Sequence, residues 1–213
     1  MKIKKKISQG GILKLIQRNG RVNNIIKFIE KFKVADVTHI QRMFYTHYKN
    51  QEHAVINART KLRGLVKDKT LKRNRNHMNM KYFYYTKPCR QVEHCLLLTE
   101  LYVRLCEIYG HNNVETTPEY TLKNGKRPDA FVTIKKGGRL YLYYVEIHIS
   151  NNKFNIAKYE QIYSDKLQEF PTLIIVTNQN VKLQTKIDHV ILDTDLANIE
   201  NKLNVGKNVI VAW

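Results

Sequence analysis

The two halves of this chain differ in charge, and this difference constrains its organisation more than any other feature. Residues 1–90 contain 23 lysines and arginines against four acidic residues, a net charge of +19, whereas residues 91–213 contain 14 of each sign. Such an asymmetry predicts that one half meets a polyanion while the other half has a different role. A basic surface that is merely solvated is the alternative interpretation.

Length, cysteine content and hydropathy favour a soluble protein of a reducing compartment. The 213 residues are enough for one large domain or two small ones. Its three cysteines, Cys89, Cys95 and Cys106, form no CxxC pair, which argues against a disulfide framework or a zinc ribbon. No apolar run approaches the roughly 18 residues that a membrane span needs. We therefore expect a cytoplasmic protein without a membrane partner.

Apolar residues recur at helical spacing through much of the basic half. The pattern predicts a first helix over residues 22–32 and a second helix that ends at Phe44, with Asp36 as its N-terminal cap. A third helix is predicted over residues 51–67, with Asn50 as its cap. Two short helices followed by a longer one with a polar outer face are typical of a helix-turn-helix, whose last helix docks in the major groove.

The segments around these helices complete the predicted domain. Residues 1–20 show no strong pattern and are expected to form a basic arm. Residues 71–77 are basic and polar, and the strand-like residues 81–86 follow, so the two segments are expected to form a hairpin, or wing. Residues 21–88 are therefore predicted to be a winged helix-turn-helix domain. An ordinary three-helix domain with a surface hairpin is the alternative.

The side chains expected to contact DNA are polar or basic and lie in two places. Those on the outer face of the third helix can reach base edges or phosphates, and two arginines expected at the hairpin tip can enter a minor groove or hold phosphates. The eight predicted DNA-binding residues are His53, Asn57, Thr60, Lys61, Arg63, Lys67, Arg73 and Arg75.

The neutral half is predicted to alternate helices and strands, forming one domain over residues 89–213. Gly-rich turns, a proline and changes of hydrophobic period separate the elements. Residues 190–192 and 209–211 are typical of strands, and residues 196–203 between them are typical of a helix. The role of residues 179–213 is left open, since they can extend the sheet or form a dimer contact. The order is a helix over 90–109, strands over 114–120, 127–134 and 139–149, a helix over 154–170 and a strand over 173–176.

Candidate catalytic residues lie on the two strands of the central hairpin in this half. Asp129 follows Pro128 at the start of one strand, Glu146 lies near the end of the next, and His148 faces the same side as Glu146. Asp129 and Glu146 are predicted metal ligands, because converging carboxylates suit Mg²⁺, and a metal there can activate water and stabilise phosphoryl charge. The alternative is a polar outer face that holds no metal.

The order helix, three strands, helix, strand, with Pro128-Asp129 and Glu146-Ile147-His148, resembles the PD-(D/E)xK nuclease superfamily. Over about residues 35–180 the chain resembles, more narrowly, the replication-relaxation family of plasmids, phages and mobile elements, which combines a winged helix with a nuclease-like domain. The further segments that carry this resemblance are His94-Cys95-Leu96-Leu97, Tyr102, Arg127-Pro128-Asp129-Ala130, Tyr144-Val145-Glu146, Lys158-Tyr159 and residues 171–177.

One departure from the superfamily pattern concerns position 148. The pattern implies lysine there, a fixed cation, whereas this chain has His148; histidine is a shorter side chain and does not carry a fixed charge. Lys153 or Lys158 from the following helix is a candidate substitute. The resemblance implies that such nuclease-like domains, which commonly lack the lysine, often serve in binding.

These observations predict an α/β (α+β) protein that binds double-stranded DNA in the replication, relaxation, mobilisation or transcription control of a plasmid, phage or mobile element. DNA binding would need no cofactor, and a replication or relaxation protein or a second copy of the chain are candidate partners. The alternative is a Mg²⁺- or Mn²⁺-dependent DNA endonuclease that uses Asp129, Glu146 and His148. A weaker alternative is an RNA-binding or protein-interaction module.

Overall fold

The chain divides into two compact units, residues 1–90 and 91–213, two residues beyond the boundary expected from the sequence. Among the described residues the protein is a mixed α+β structure with six helices and two sheets. The computed structural model describes residues 9–76, 80–122, 125–164 and 170–203.

The first unit contains three helices and a three-stranded antiparallel sheet of order β1-β3-β2. Its elements are α1 (Gln9–Phe32), β1 (Ala35–Asp36), α2 (Val37–Phe44), α3 (Gln51–Lys67), β2 (Lys72–Arg75) and β3 (Tyr82–Tyr85). Apolar residues from all three helices and from β3 are buried together and form the core of this unit. They include Ile25, Ile29, Phe32, Ile40, Ala58, Leu62 and Tyr84.

The first helix is longer than the sequence predicted. It begins at Gln9, so residues 9–20 of the expected basic arm belong to the helix, and residues 1–8 lie outside the described part of the chain. Once a buried stripe fixes a helix, each further residue adds one backbone hydrogen bond at little cost. The Leu, Lys, Gln and Arg residues of this segment have good helix propensity, so the helix extends through them despite Gly10, Gly11 and Gly20.

The two predicted helix caps are confirmed. The Asp36 carboxylate accepts the His39 backbone N–H at 2.9 Å, and the His39 ring accepts the Asp36 backbone N–H at 3.1 Å. The Asn50 side chain accepts the backbone N–H groups of Glu52 and His53. These bonds satisfy amides that would have no partner inside the helix, which is why α2 and α3 begin where they do.

The hairpin differs from the prediction in the position of its arginines. Arg73 and Arg75 lie within β2, paired with Tyr84 and Tyr82 of β3, and not at the tip. The Asn76 backbone N–H bonds to the Lys81 carbonyl, so the turn begins only after Arg75, and residues 77–79 lie outside the described part. The aromatic run of β3 favours cross-strand pairs, and the ladder therefore continues through both arginines.

The second unit is built on a five-stranded sheet of order β4-β5-β6-β7-β8. The pairs β4–β5 and β5–β6 are antiparallel, whereas β6–β7 and β7–β8 are parallel. The helix–strand–strand–strand–helix–strand order expected from the sequence is present. The elements are α4 (Val92–Tyr109), a 3-10 turn (His111–Asn113), β4 (Val114–Pro118), β5 (Ala130–Lys136), β6 (Arg139–His148), α5 (Ala157–Ser164), β7 (Thr172–Thr177), β8 (His189–Leu192) and α6 (Ile199–Lys202).

The central part of this sheet is covered on both faces. Four successive residues of β7, Leu173 to Val176, are fully buried, although alternate side chains of a strand point to opposite faces. One face carries a cluster that contains Leu122, Phe154 and Tyr159. Tyr159 comes from α5, so the core fixes the position of this helix above the sheet.

Several element ends differ from the sequence prediction. Helix α5 begins at Ala157 and not at residue 154, because the Asn155 side chain accepts the Ala157 backbone N–H at 3.1 Å. The C-terminal strand β8 extends the sheet, and α6 spans four residues of the predicted helix 196–203. Predicted helical residues 165–169 and the predicted strand 209–211 lie outside the described part. Along the described residues we find no helix with the length and apolar character needed to cross a bilayer.

Candidate functional site

Asp129 is held at one edge of the central hairpin of the second unit by hydrogen bonds on both sides. Its backbone N–H donates to the Val145 carbonyl at 2.9 Å, and its carboxylate Oδ2 accepts the Ile147 backbone N–H at 2.7 Å. Its Oδ1 lies 3.0 Å from Nε2 of His94, which comes from the first turn of α4. Asp129 is therefore anchored to both β6 and α4.

Glu146 lies on β6, one residue after Val145, whose carbonyl accepts the Asp129 backbone N–H. The paired register of β5 and β6 ends at Ala130 and Val145, so Asp129 and Glu146 each lie one residue beyond that last pair. Glu146 is only 7% exposed, and its Oε1 accepts the Tyr159 hydroxyl at 2.6 Å. The Lys158 ammonium forms an ion pair with the same carboxylate oxygen. Glu146 thus meets a lysine and a tyrosine from α5, and the charge of Asp129 acts on both of them.

The pKa values of these α5 residues reflect burial next to carboxylates. Burial lowers the pKa of Lys158 from its ordinary value, the nearby Asp129 charge opposes this, and Lys126 adds to it. Burial raises the pKa of Tyr159, and the Asp129 charge and Tyr144 raise it further. Tyr159 therefore stays protonated across the neutral range and acts as a hydrogen-bond donor to Glu146.

His148 faces the same side of β6, but its described contacts lead away from the carboxylates. Its Nε2 lies 2.7 Å from the Asn152 carbonyl, and its ring packs edge-on against Phe154 with centroids 5.3 Å apart. A carbonyl can only accept, so Nε2 carries the proton in this arrangement. None of the described contacts joins His148 to Asp129 or Glu146, and Lys158 supplies the cation next to them instead.

A divalent metal does not fit the side-chain arrangement as described. Asp129 and Glu146 offer the oxygen atoms that Mg²⁺ prefers. However, Glu146 is already bound by Lys158 and Tyr159, and both oxygens of Asp129 are engaged. Within the residues that the structure describes, no group of three or more His, Cys, Asp or Glu side chains is placed to hold a metal ion. A protein cation occupies the position next to Glu146.

The predicted DNA-binding residues of the first unit are mostly accessible to solvent. Of the eight, only Lys61 is half-buried, and the others are exposed on α3 or β2. The core-facing side of α3 is formed by Ala54, Ala58, Leu62 and Leu65. The polar residues therefore project from the opposite side of α3 or from its flanks, as the helical spacing predicted.

Two concave surfaces, one on each flank of α3, are lined by five of these eight residues. Asn57, Thr60 and Lys61 line a groove of about 610 Å³ together with Arg21 and Tyr45. On the other flank, Arg63 and Arg73 line a cleft of about 320 Å³ between α3 and the hairpin. We call this second surface the arginine cleft. Its full lining is Asp36, Val37, Thr38, Val55, Arg59, Arg63, Arg73, Met80, Lys81, Tyr82 and Tyr84.

Residue patterns alone do not assign four contributors to these sites. The sequence offers His94 and Tyr159 only within segments that carry the resemblance, and Lys158 also as a substitute for the missing lysine. Arg59 is not among the predicted DNA-binding residues, although it lies one helical turn before Arg63, a spacing that places the two side chains next to each other. That spacing was the available signal for Arg59, whereas the partner of His94 depends on a tertiary contact.

Comparison of the chain with protein-family models, curated proteins and solved structures found no match.

Proposed function

We propose that this protein binds double-stranded DNA through its first unit, which acts as a winged helix-turn-helix, in the replication, relaxation, mobilisation or transcription control of a plasmid, phage or mobile element. The observation that carries the proposal is that the positive charge and the exposed polar helix and hairpin belong to the same unit. A surplus of 19 positive charges belongs to a unit in which α3 and β2 expose polar and basic side chains. Phosphate neutralisation by Lys and Arg supplies most of the affinity in such complexes.

The second unit, in this proposal, is a PD-(D/E)xK nuclease-like domain that serves in positioning or assembly rather than cleavage. Its net charge is zero, which gives it little attraction of its own for a polyanion. Its carboxylates are neutralised by internal partners, Glu146 by Lys158 and Asp129 by His94 when that ring is protonated. A replication or relaxation protein, or a second copy of this chain, is the proposed partner of this unit.

A gel-shift titration with short duplex DNA over a range of salt concentrations tests the proposal. Affinity should fall linearly on a log–log plot with a slope of about −0.9 for each phosphate neutralised. The double variant Arg63→Ala/Arg75→Ala should bind less tightly, whereas Lys182→Ala, an exposed change of charge in the neutral unit, should not. Salt-independent binding, together with normal binding by the double variant, would show that this surface is not the DNA contact.

A metal-dependent DNA endonuclease remains the second candidate, because Lys158 brings a lysine to Glu146 from α5. The chain thus has an ammonium group at the carboxylates even though His148 stands where the superfamily pattern has lysine. Any divalent metal bound there would supply an activated water. The residues themselves fit that role only if Lys158 leaves Glu146.

Incubation of supercoiled, linear and single-stranded DNA with and without Mn²⁺ separates the two candidates. The binding proposal predicts shifted but intact DNA. The endonuclease predicts nicking that Asp129→Ala and Glu146→Ala each abolish, while Asp195→Ala, an exposed acid elsewhere in the same unit, leaves it unchanged. Competition between duplex DNA and RNA of equal length tests the alternative of an RNA-binding module.

A further inference from the structure

The arginine cleft concentrates positive charge in a small space. Arg59 and Arg63 enter it from α3, Arg73 enters from β2, and Lys81 lies at the base of the hairpin turn. The one acid in the lining is Asp36, whose carboxylate is already engaged as the N-terminal cap of α2. The cleft therefore has a surplus of fixed positive charge that its own acid does not balance.

Tyr84 lines the cleft together with the three arginines, and their charges act on its hydroxyl group. Its ring is buried in the core of the first unit, and it is 1% exposed. Burial raises the pKa of Tyr84, while a hydrogen bond from Arg73 and the charges of Arg73, Arg63 and Arg59 act in the opposite direction. All three guanidinium groups are thus near enough to influence the same hydroxyl group, although all three residues are exposed.

A second tyrosine orients the strand arginines. The guanidinium of Arg73 lies 4.7 Å from the centre of the Tyr82 ring, and that of Arg75 lies 5.1 Å from it. Arginine stacks well on aromatic faces, and the stacking restricts its rotamers before any ligand arrives. Tyr82 is therefore a positioning residue for Arg73, which lines the cleft.

We propose that Arg59, Arg63 and Arg73 together bind a single phosphate group of a nucleic-acid backbone in the arginine cleft. Several guanidinium groups in one cleft repel one another unless an anion lies between them, and their planar donor pairs match phosphate oxygens. The inference rests on the proposed DNA binding and specifies where one phosphate is held. A phosphodiester inside the duplex and a phosphate at a 5′ end share the required oxygens.

The number of phosphates can be measured through the salt dependence of binding by the full-length chain. If three arginines share one phosphate, the triple variant Arg59→Gln/Arg63→Gln/Arg73→Gln should reduce the magnitude of the log–log slope by about 0.9. If each arginine met its own phosphate, the reduction would be about 2.7. Lys27→Gln, an exposed change on α1 that removes one positive charge, is the matched control for each single arginine substitution.

Affinity in the single variants gives an independent readout. Each of the three substitutions should weaken duplex binding about tenfold, equivalent to about 1.4 kcal/mol. Two of them combined should weaken it by less than the product of the single effects, because they act on a shared group. Arg73 also bonds to Tyr84, so the double variant Arg59→Gln/Arg63→Gln keeps the test valid if Arg73→Gln lowers the melting temperature.

The source of the phosphate is tested with blunt duplexes that carry or lack 5′ phosphates. Equal affinity for both duplexes, which the cleft substitutions still lower, identifies an internal phosphodiester. A preference for the phosphorylated duplex identifies a terminal phosphate. A slope change near 2.7, or cleft variants that resemble Lys27→Gln, would overturn the shared site while leaving DNA binding itself intact. Failure of the unmodified protein to bind any duplex would instead reject the proposed function together with the inference that rests on it.

Discussion

Removal of the Lys158 ammonium should destabilise the second unit, because it leaves the Glu146 carboxylate buried without a cation. The Glu146 side chain is 9% exposed and that of Lys158 is 28% exposed. Breaking a fully buried ion pair costs about 3–5 kcal/mol, and partial solvation of the lysine reduces this figure. We expect Lys158→Ala to lower the free energy of unfolding by about 2 kcal/mol at neutral pH, allowing for that exposure.

The loss of stability caused by Lys158→Ala should become smaller as the pH falls. In the variant, the lone carboxylate binds a proton more readily in the folded than in the unfolded chain, so acidification stabilises the folded variant. The difference from the unmodified protein should therefore narrow as the pH falls from about 7 toward about 5. Urea unfolding followed by circular dichroism at both pH values measures it.

Two comparisons isolate the ion pair. Lys153→Ala removes an exposed lysine just before α5 and should cost little. The neutral double variant Lys158→Met/Glu146→Gln should recover most of the lost stability, since replacing both partners removes the uncompensated charge. A loss for Lys158→Ala no larger than that for Lys153→Ala, or a deficit that is equal at both pH values, would refute the argument.

Three further outcomes are expected. Burial raises the pKa of Tyr143 and Tyr159, so the folded chain retains protons that the unfolded chain loses above about pH 10. Above that pH, each of the two tyrosines should lower the free energy of unfolding by about 1.4 kcal/mol per pH unit. Tyr143→Phe should remove the contribution of Tyr143, as measured by urea unfolding at alkaline pH. Asp36→Ala should cost about 1 kcal/mol in thermal unfolding, because it removes the cap of α2, whereas the neighbouring exposed Thr38→Ala should cost less. Asp129→Asn should cost about 1.5–3 kcal/mol in urea unfolding through its charged hydrogen bonds, and a neutral result would indicate that these bonds contribute no net stability.

Local sequence signals predicted the starts of α2 and α3 well. Asp36 and Asn50 precede apolar helical stripes, and both cap the expected helices, because a cap bond forms within three residues of its donor. The hairpin turn at Gly137 and Gly138 likewise lies where the sequence indicated, between β5 and β6. Both glycines have positive φ, at 57° and 71°, a conformation that other residues adopt at a cost.

Signals that depend on distant partners were harder to interpret. Arg73 and Arg75 were expected at a tip, but the pairing partners across the hairpin decide how far a strand extends. The length of α1 was underestimated for a similar reason, since a buried stripe stabilises neighbouring turns that have no pattern of their own. In each case, contacts with other parts of the chain determine where the strand or helix ends.

The sequence by itself determined the division of charge between the halves, the α+β order of elements and the placement of one carboxylate just before β5 and another near the end of β6. These properties depend on composition, on periods of two or 3.6 residues and on bonds within a few positions, all of which can be read along the chain. The tertiary structure alone decided that Lys158 and Tyr159 meet Glu146, that His94 meets Asp129, and that three arginines converge near Tyr84. Those contacts join residues from separate elements. Which side chains come within bonding distance depends on how α3 packs in the first unit and on how α4 and α5 pack in the second.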